Sequence, residues 1–203
     1  MPKKSPKFVL SKPGYDLAAL EYDKKEKYLN SFEKGEALSL LGEVKGRKIV
    51  DVGAGTGRFS IPLQKAGGVV TACDVSPEIL KVLARKNRHI EIVVGEAESL
   101  PFPDNSFDIV TAAFLIVHLK NPTRFFDEVY RVLKDGGLFL VTNVNQKDPP
   151  VVETKEGSII IESFYHRPEE IREILEELAF SIEQEKNIKE GEVWINQIIL
   201  AKK

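Results

Sequence analysis

The stretch IVDVGAGTGRFS (Ile49–Ser60) places a glycine at every second position from Gly53 to Gly57, directly after a short β-branched run. β-branched residues favour a strand, and glycine lets the backbone turn sharply and approach another molecule because it has no Cβ. The residues that follow, GRFSIPLQKAG, read as a helix. The stretch therefore predicts a strand, a glycine loop and a helix, with a ligand seated against the loop.

The same alternation of apolar runs and helical segments continues along the chain. Strands that are apolar throughout and alternate with helices predict a parallel sheet covered on both faces. Right-handed crossovers then make it a doubly wound α/β sheet. The further predicted strands are Val69–Val75, Ile90–Ala97, Phe107–Ala113 and Leu138–Asn143. The signals that start or stop the helices between them are Gly67 with Gly68 (stop), Ser76 with Pro77 (start), Asn121 with Pro122 (start) and Asp135–Gly137 (stop).

The end of the chain departs from this rhythm. After a predicted helix at Pro168–Phe180, two apolar runs, Ser181–Ile188 and Val193–Ala201, are separated only by a turn at Lys189–Gly191. A turn this short joins antiparallel strands, because parallel strands need a crossover connection. One strand of the sheet is therefore predicted to run against the others.

Length and composition predict one domain over residues 1–203. We expect an N-terminal tail and cap helices in 1–42, a ligand-binding half in 43–143 and a substrate-side half with the C-terminal hairpin in 144–203. The chain has one cysteine and a formal net charge of −2. One cysteine excludes disulfides within the chain and any thiolate-rich metal cluster, so no metal site is predicted. A net charge this small favours binding neither to nucleic acid nor to an anionic membrane. No apolar run is long enough to span a bilayer. We therefore expect a cytoplasmic location.

Several ligands compete for the glycine loop. A nucleoside triphosphate needs a longer loop that ends in Gly-Lys-Ser/Thr, but here Gly57 is followed by Arg58. A nicotinamide dinucleotide prefers G-x-G-x-x-G/A, and its last small position is also Arg58. Asp51, two residues before the first glycine, is poorly placed for a pyrophosphate and well placed for a cation. An NAD(P)-dependent oxidoreductase is therefore the less favoured alternative.

Four motifs in order make the segment 49–143 resemble the class I S-adenosylmethionine-dependent methyltransferases, especially the broad group that includes ubiquinone and menaquinone biosynthesis enzymes. The motifs are VDVGAGTGRFS, ACDVSPEIL, VVGEAESLPFPDNSFDIV and FLIVHLKNPTRFFDEVYRVLKDGG. The resemblance implies a Rossmann-like seven-stranded sheet of order 3-2-1-4-5-7-6 with strand 7 antiparallel. It also implies in-line transfer of a methyl group to a small-molecule acceptor, with S-adenosylhomocysteine as product.

The resemblance implies a role for residues at the ends of the first four strands. Asp51 is expected to face the ammonium group of the methyl donor, Asp74 its ribose hydroxyls and Glu96 its adenine amino group. Aspartate is commoner than glutamate at this last position. The full predicted set for S-adenosylmethionine is Asp51, Gly53, Ala54, Gly55, Gly57, Asp74, Val75, Glu96, Ala97, Ala113, Phe114, Tyr15 and Tyr22, the two tyrosines belonging to an N-terminal lid.

The methyl acceptor is less determined by the sequence. His118 is a general base, a part of the cofactor pocket or a half-buried structural histidine. Tyr165 and His166 are candidates for contact with the acceptor. Thr111–Phe114 lacks the Asn/Asp-Pro-Pro-aromatic motif of adenine and glutamine methylation. We expect a small-molecule acceptor, no nucleic acid, and a monomer or homodimer. A cofactor-binding protein without transfer activity remains the alternative from another functional class.

Overall fold

The computed structural model of the protein describes residues 6–33, 35–155 and 157–203, with only the backbone of 24–28. Residues 1–5 of the predicted N-terminal tail lie outside this range. The strands are β1 (Lys7–Val9), β2 (Lys48–Val52), β3 (Val69–Asp74), β4 (Glu91–Val94), β5 (Phe107–Ala112), β6 (Leu133–Val144), β7 (Val151–Thr154), β8 (Gly157–Ile161), β9 (Ser181–Glu190) and β10 (Val193–Lys202). The helices are α1 (Ser11–Ala18), α2 (Glu26–Ser31), α3 (Glu36–Ser39), α4 (Ser60–Lys65), α5 (Pro77–Lys86), α6 (Thr123–Val132) and α7 (Pro168–Glu177), with 3₁₀ turns at Tyr22–Lys25 and Ile116–His118.

A seven-stranded sheet in the order β4-β3-β2-β5-β6-β10-β9 forms the centre of the fold. The strands from β4 to β6 pair in parallel, and β10 runs antiparallel to both of its neighbours. The predicted sheet of order 3-2-1-4-5-7-6 with a reversed last strand is therefore confirmed. The carboxyl ends of β2, β3, β4 and β5 lie side by side, which is where a doubly wound sheet binds its ligand.

A second sheet, of three strands in the order β1-β8-β7, was not predicted. β1 pairs in parallel with β8, with Lys7 opposite Ile159, and β7 pairs antiparallel with β8. For the substrate-side half, only the C-terminal hairpin was predicted from the sequence. These strands have three to five residues each, too few for a clear alternating pattern. The small sheet brings the start of the chain onto the substrate-side half.

Two of the predicted helix boundaries were wrong. The first predicted helix starts at Ser60 rather than at Gly57, because Gly57 has a φ of +95°, outside the helical region. α6 ends at Val132, so Asp135–Gly137 lies inside β6 instead of stopping a helix. The end of the chain pairs there, since Gly136 N donates to Lys203 O and Lys203 N donates to Gly137 O, both at 3.0 Å.

The central strands are buried on both faces, which explains their continuous apolar sequences. One face, with Ile49 of β2 among its residues, packs under α3, α4 and α5, and the other, with Val50, packs under α6 and α7. The second face holds a group of edge-to-face or tilted aromatic rings, Phe125, Phe126, Phe139 and Phe180. No helix in the described part of the chain is both long and apolar enough to cross a membrane.

Candidate functional site

Two neighbouring cavities open at the carboxyl ends of the central strands. The glycine-loop cavity lies against Gly53, Gly55 and the ends of β3 and β5, and the cap cavity lies between α1, α2 and the small sheet. They contain about 720 Å³ and 880 Å³ free of protein atoms, counting space open to solvent. The residues that line both cavities are Tyr15, Tyr22, Phe114 and His118.

Most of the residues predicted to hold a cofactor come together in the glycine-loop cavity. Those that line it are Tyr15, Tyr22, Gly53, Gly55, Asp74, Val75, Glu96, Ala97, Ala113 and Phe114, together with His118. The predicted residues that do not line it are Asp51, Ala54 and Gly57. The structure also adds Leu115 and Leu119 to this wall; both follow β5 and lie in the fourth motif, which gave them no role of their own.

Asp74 is held with its carboxylate at the end of β3. Gly55 N donates to Asp74 Oδ2 and Ser76 N donates to Oδ1, each at 2.9 Å. Burial raises the pKa of Asp74 above its usual value, an effect that these backbone donors oppose. The carboxylate is therefore oriented by the glycine loop itself, and it lines the cavity as a hydrogen-bond acceptor.

Asp51 occupies a different place from the one expected. It is 2% exposed, and its two oxygens accept hydrogen bonds from Ser60 Oγ at 2.5 Å and Thr111 Oγ1 at 2.8 Å. Burial raises the pKa of Asp51 to about 6. Asp51 therefore joins β2 to the start of α4 and to β5, beneath the glycine loop and behind the cavity wall.

Gly57 and Ala54 serve packing in this structure. A Cβ at Gly57 would lie 2.3 Å from Leu83 Cδ1 of α5, in a residue whose φ is +95°. Leu83 is fully buried and cannot move aside cheaply. Gly57 thus lets α5 pack against the loop, and Ala54 is 6% exposed in the same core.

Arg58 fastens the N-terminal cap to the glycine loop. Its guanidinium forms an ion pair with the buried Glu33, with Nη2 3.1 Å from Oε1, and Nη1 lies 3.3 Å from Asn30 Oδ1. Arg58 Cζ also lies 4.7 Å from the ring centre of Phe114. In the sequence, Arg58 stood out only as the residue that departs from the triphosphate and dinucleotide motifs. Its partner lies 25 residues away, and no local pattern pairs them.

Phe114 has a φ of +57°, which is unusual for a bulky residue. Its backbone N donates to Thr142 Oγ1 at 3.0 Å, and its ring contacts Phe32 of the cap edge-to-face at 5.9 Å. Strained backbone of this kind persists where surrounding contacts hold it, and it is common at functional sites. Here it presents one aromatic side chain to both cavities.

Tyr15 and His118 form a hydrogen-bonded pair in the shared wall. Tyr15 Oη lies 2.6 Å from His118 Nε2, and His118 Nδ1 lies 2.9 Å from the backbone oxygen of Glu162. A carbonyl only accepts, so Nδ1 carries the proton and Nε2 accepts from the Tyr15 hydroxyl. Burial lowers the pKa of His118 below 6.5 and raises the pKa of Tyr15 well above 10. Both groups are therefore neutral near pH 7.

The cap cavity is mainly apolar. Besides the shared residues, its wall contains Ala18, Leu29, Phe32, Val117, Val144, Pro150, Val152 and Ile161, with Glu21, Gln146 and Glu153 as its polar members. Gln146 Nε2 is buried and has no hydrogen-bond partner among the described residues. This cavity was not predicted from the sequence, because its walls come from α1, from α2 and from the small sheet, which was not predicted either.

The two residues expected to contact the acceptor do not reach either cavity wall. Tyr165 is 38% exposed and packs beside Trp194 at a ring-centre distance of 6.2 Å. His166 is 3% exposed, and its Nε2 lies 3.1 Å from Ile116 O and 2.9 Å from Leu119 O. No cluster of side chains suited to a metal ion occurs in the described ranges.

Known proteins support the resemblance that the motifs indicated. Residues 50–141 match the family described as a methyltransferase domain. The chain is 43% identical over 101 residues to a demethylmenaquinone methyltransferase of Renibacterium salmoninarum, covering 50% of this chain and 43% of that protein. It is 30% identical over 133 residues to the protein of that name in Tropheryma whipplei, covering 63% and 56%. The chain thus spans about half the length of these curated relatives.

Solved structures extend the likeness in fold to nearly the whole chain. A structure described as a complex between the Haloferax volcanii Trm112 methyltransferase activator and "the putative methyltransferase" has a TM-score of 0.77 at 20% identity and covers 94% of this chain and 96% of that one. An S-adenosylmethionine-dependent methyltransferase of Mesorhizobium loti has a TM-score of 0.72 at 19% identity, covering 85% and 98%. The resemblance to class I methyltransferases is confirmed: residues 50–141 match the methyltransferase-domain family, and solved methyltransferases share the fold over most of the chain.

Proposed function

We propose that this chain, built around the methyltransferase domain at 50–141, transfers a methyl group from S-adenosylmethionine to a small apolar acceptor. One observation carries the proposal. The glycine-loop cavity and the cap cavity share the wall formed by Tyr15, Tyr22, Phe114 and His118. A reaction between two bound molecules requires adjacent binding spaces, because transfer needs the reacting atoms in contact. These two cavities are adjacent, since the same four residues line both.

The glycine-loop cavity fits S-adenosylmethionine by the chemistry of its lining. Asp74 would accept hydrogen bonds from the ribose hydroxyls. Glu96 and the Ala97 backbone would hydrogen-bond to the edge of the adenine ring, and Val75 would pack against its face. Gly53 and Gly55 would leave room for the methionine end. A Cβ at Gly53 would lie 3.1 Å from Leu115 Cδ1, so a larger residue would crowd this part of the cavity. Asp51 acts in this proposal through the loop that it holds, since its buried carboxylate faces Ser60 and Thr111 and does not line the cavity.

The bound donor supplies an electrophilic methyl group on a sulfonium cation. Tyr15, Tyr22 and Phe114 present aromatic rings to the shared wall, and aromatic faces attract cations by about 0.5–2 kcal/mol. Among the side chains that the structure describes, no lysine or arginine lines the glycine-loop cavity. This described part of the wall is therefore suited to a positively charged ligand, because it has no positive side chain that would repel the ligand.

The acceptor side of the shared wall carries the proton chemistry. The Nε2 lone pair of neutral His118 accepts from Tyr15, whose oxygen can in turn accept from an acceptor hydroxyl. When the acceptor loses its proton to the Tyr15 oxygen, Tyr15 passes its own proton to His118 Nε2. His118 is thus proposed as the general base, acting through Tyr15.

The cap cavity favours an apolar acceptor that carries oxygen atoms. Its wall is mostly aliphatic and aromatic, and the unpartnered Nε2 of Gln146 offers a hydrogen-bond donor to an acceptor oxygen. The relatives from Renibacterium salmoninarum and Tropheryma whipplei are named for demethylmenaquinone, a quinone. An acceptor with an apolar ring and a hydroxyl or keto oxygen agrees with both observations.

The wider setting belongs to the same proposal. The glycine-loop cavity draws on the cap and the central half of the chain, and the cap cavity draws on these and on the substrate-side half, which supports one domain over 1–203 divided near 42 and 143. We propose a monomer or homodimer in the cytoplasm. The one cysteine, Cys73, is buried, and burial raises the pKa of its thiol to about 12, so it stays protonated there.

The test has two steps. Isothermal calorimetry with S-adenosylmethionine and S-adenosylhomocysteine should show binding at micromolar to millimolar ligand, and the absence of binding would refute the proposal. Radiolabelled donor is then incubated with apolar phenols and hydroquinones, and with carboxylic acids and amines as comparison classes. Transfer to the hydroxyl-bearing class supports the proposal. Tight cofactor binding with no transfer to any class would instead indicate a catalytically silent binding protein, and NADH binding in its place an oxidoreductase.

A further inference from the structure

We infer that His166 is a positioning residue for His118, acting through the segment Glu162–His166, here called the strap. The strap runs from the end of β8 to the start of α7, directly beside the 3₁₀ turn Ile116–His118. This inference rests on the proposed function only in its kinetic consequence. Its structural content concerns which nitrogen of His118 carries a proton.

Four hydrogen bonds fasten the turn to the strap. His118 Nδ1 donates to Glu162 O at 2.9 Å, and Phe164 N donates to Val117 O at 2.7 Å. His166 Nε2 contacts two further carbonyl oxygens, those of Ile116 at 3.1 Å and Leu119 at 2.9 Å. The carbonyl groups of the turn on both sides of His118 are therefore held by the strap.

His166 is itself anchored to the central sheet. Asn143 Nδ2 of β6 donates to His166 O at 3.1 Å and to Gln197 Oε1 of β10, also at 3.1 Å. Gln197 Nε2 donates to Pro168 O at 3.0 Å, two residues after the strap ends. His166 is 3% exposed, and its Nε2 faces two carbonyl oxygens, so that nitrogen carries a proton and donates it. The imidazole is thus a fixed donor that links the sheet to the turn.

The consequence falls on the tautomer of His118. The Glu162 carbonyl requires a proton on Nδ1, and this leaves the Nε2 lone pair free to accept from Tyr15. Without His166, the turn keeps one side-chain and one backbone bond to the strap and loses the two that bracket His118. The constraint on the ring weakens, and the tautomer with a proton on Nε2, which cannot accept from Tyr15, becomes populated.

Nitrogen NMR of the ¹⁵N-histidine-labelled protein tests this without any substrate. At pH 8 the full chain should show His118 protonated at Nδ1 and unprotonated at Nε2. In His166→Leu, which removes the donor, we expect a substantial shift toward the form protonated at Nε2. His166→Gln keeps an N–H donor on a side chain of similar reach and should retain most of the original tautomer. Arg167→Gln, at an exposed neighbour, is the matched control.

Two outcomes would overturn the inference. One is a His118 spectrum in folded His166→Leu that equals that of the unaltered protein. The other is an equal change in the leucine and glutamine variants, which would indicate general loss of packing. Where His166→Leu does not fold, as judged by circular dichroism, His166→Asn replaces it, because its amide is too short to reach the turn yet remains polar.

Kinetics separate this inference from the proposed function. With an acceptor that the unaltered protein methylates, His166→Leu should lower kcat about 10- to 100-fold. KM and cofactor affinity should stay within about twofold, as expected for misplacement of a catalytic group rather than loss of binding. If the unaltered protein methylates nothing, the proposed function fails, and the NMR experiment still decides the role of His166. An unchanged kcat in a variant with the altered tautomer would overturn the catalytic consequence.

Discussion

The Tyr15 hydroxyl donates to His118 Nε2 across 2.6 Å, although the two residues are 103 positions apart in the sequence. Tyr15→Phe removes that hydroxyl and leaves the ring in both cavities. We expect kcat to fall about 100-fold or more, the range for loss of a group that relays a proton in general base catalysis. Cofactor affinity in calorimetry should change less than about twofold, because the ring remains. Tyr130→Phe, far from the cavities in the aromatic core, is the control, and an equal loss in both variants would contradict the role of Tyr15.

The pH profile of the reaction should report His118. Burial lowers its pKa below 6.5, so the neutral, proton-accepting form predominates above that pH and is lost as the pH falls through the lowered value. The logarithm of kcat/KM should therefore be level between pH 7 and 8, stay level to below pH 6.5, and then fall with unit slope. His118→Gln should have low activity without this acid limb. The same limb in His118→Gln would assign it to another group.

Asp74 should matter for the cofactor more than for the acceptor. Its oxygens are oriented by Gly55 N and Ser76 N toward the glycine-loop cavity. A hydrogen bond to a charged group contributes about 1.5–3 kcal/mol, so Asp74→Asn should weaken S-adenosylhomocysteine binding about 10- to 100-fold in calorimetry. Glu78→Gln, which removes an exposed carboxylate paired with Lys81, should leave it unchanged. Equal affinities in the Asp74→Asn and unaltered proteins would exclude Asp74 from the binding site.

A larger side chain that fills the cap cavity should impair acceptor binding without affecting cofactor binding. Val152 lines this cavity. Its neighbour Val151 is 50% exposed and lies on the opposite face of β7. Val152→Phe should raise KM for the acceptor or abolish transfer, with cofactor affinity retained. Val151→Phe adds the same atoms outside the cavity and should behave like the unaltered protein. Normal acceptor kinetics in Val152→Phe would place the acceptor elsewhere.

Gly57 and Gly42 offer a matched pair for the packing of the glycine loop. Both have positive φ, +95° and +63°, but a Cβ at Gly57 meets Leu83 while one at Gly42 meets nothing within 4 Å. Gly42→Ala should lower the free energy of unfolding by about 1–2 kcal/mol, the cost of a left-handed alanine. Gly57→Ala should lower the free energy of unfolding by the same amount and by about 1–3 kcal/mol more, because the new Cβ overpacks against Leu83. Urea denaturation measures both, and equal losses would mean that Leu83 yields without cost.

Local patterns predicted the parts of the fold that local physics determines. Apolar strands, the Ser76 cap and the glycine loop each follow from short-range preferences, and the capping bond from Ile79 N to Ser76 Oγ is present. The reversed last strand followed from a three-residue turn. The resemblance pointed to Asp74, which the structure places at the wall of the glycine-loop cavity.

What the sequence did not reveal depends on pairs far apart in the chain. The small sheet joins β1 to β8, and the Arg58–Glu33 ion pair joins the glycine loop to the cap. Asp51 has a carboxylate where the family motif has one, yet its hydroxyl partners Ser60 and Thr111 decide that it faces inward. Such choices are made by three-dimensional neighbours, and no periodicity encodes them.

The pairing of Lys7 with Ile159 has a consequence for the order of folding. Strands β2 to β6, which build the glycine-loop cavity, all lie between those two residues in the sequence. Closing so long a loop is entropically costly until the intervening chain has folded and drawn its ends together. The glycine-loop cavity is thus expected to form first and the cap cavity last, so that during synthesis the nascent chain would complete the first cavity before it can enclose the second.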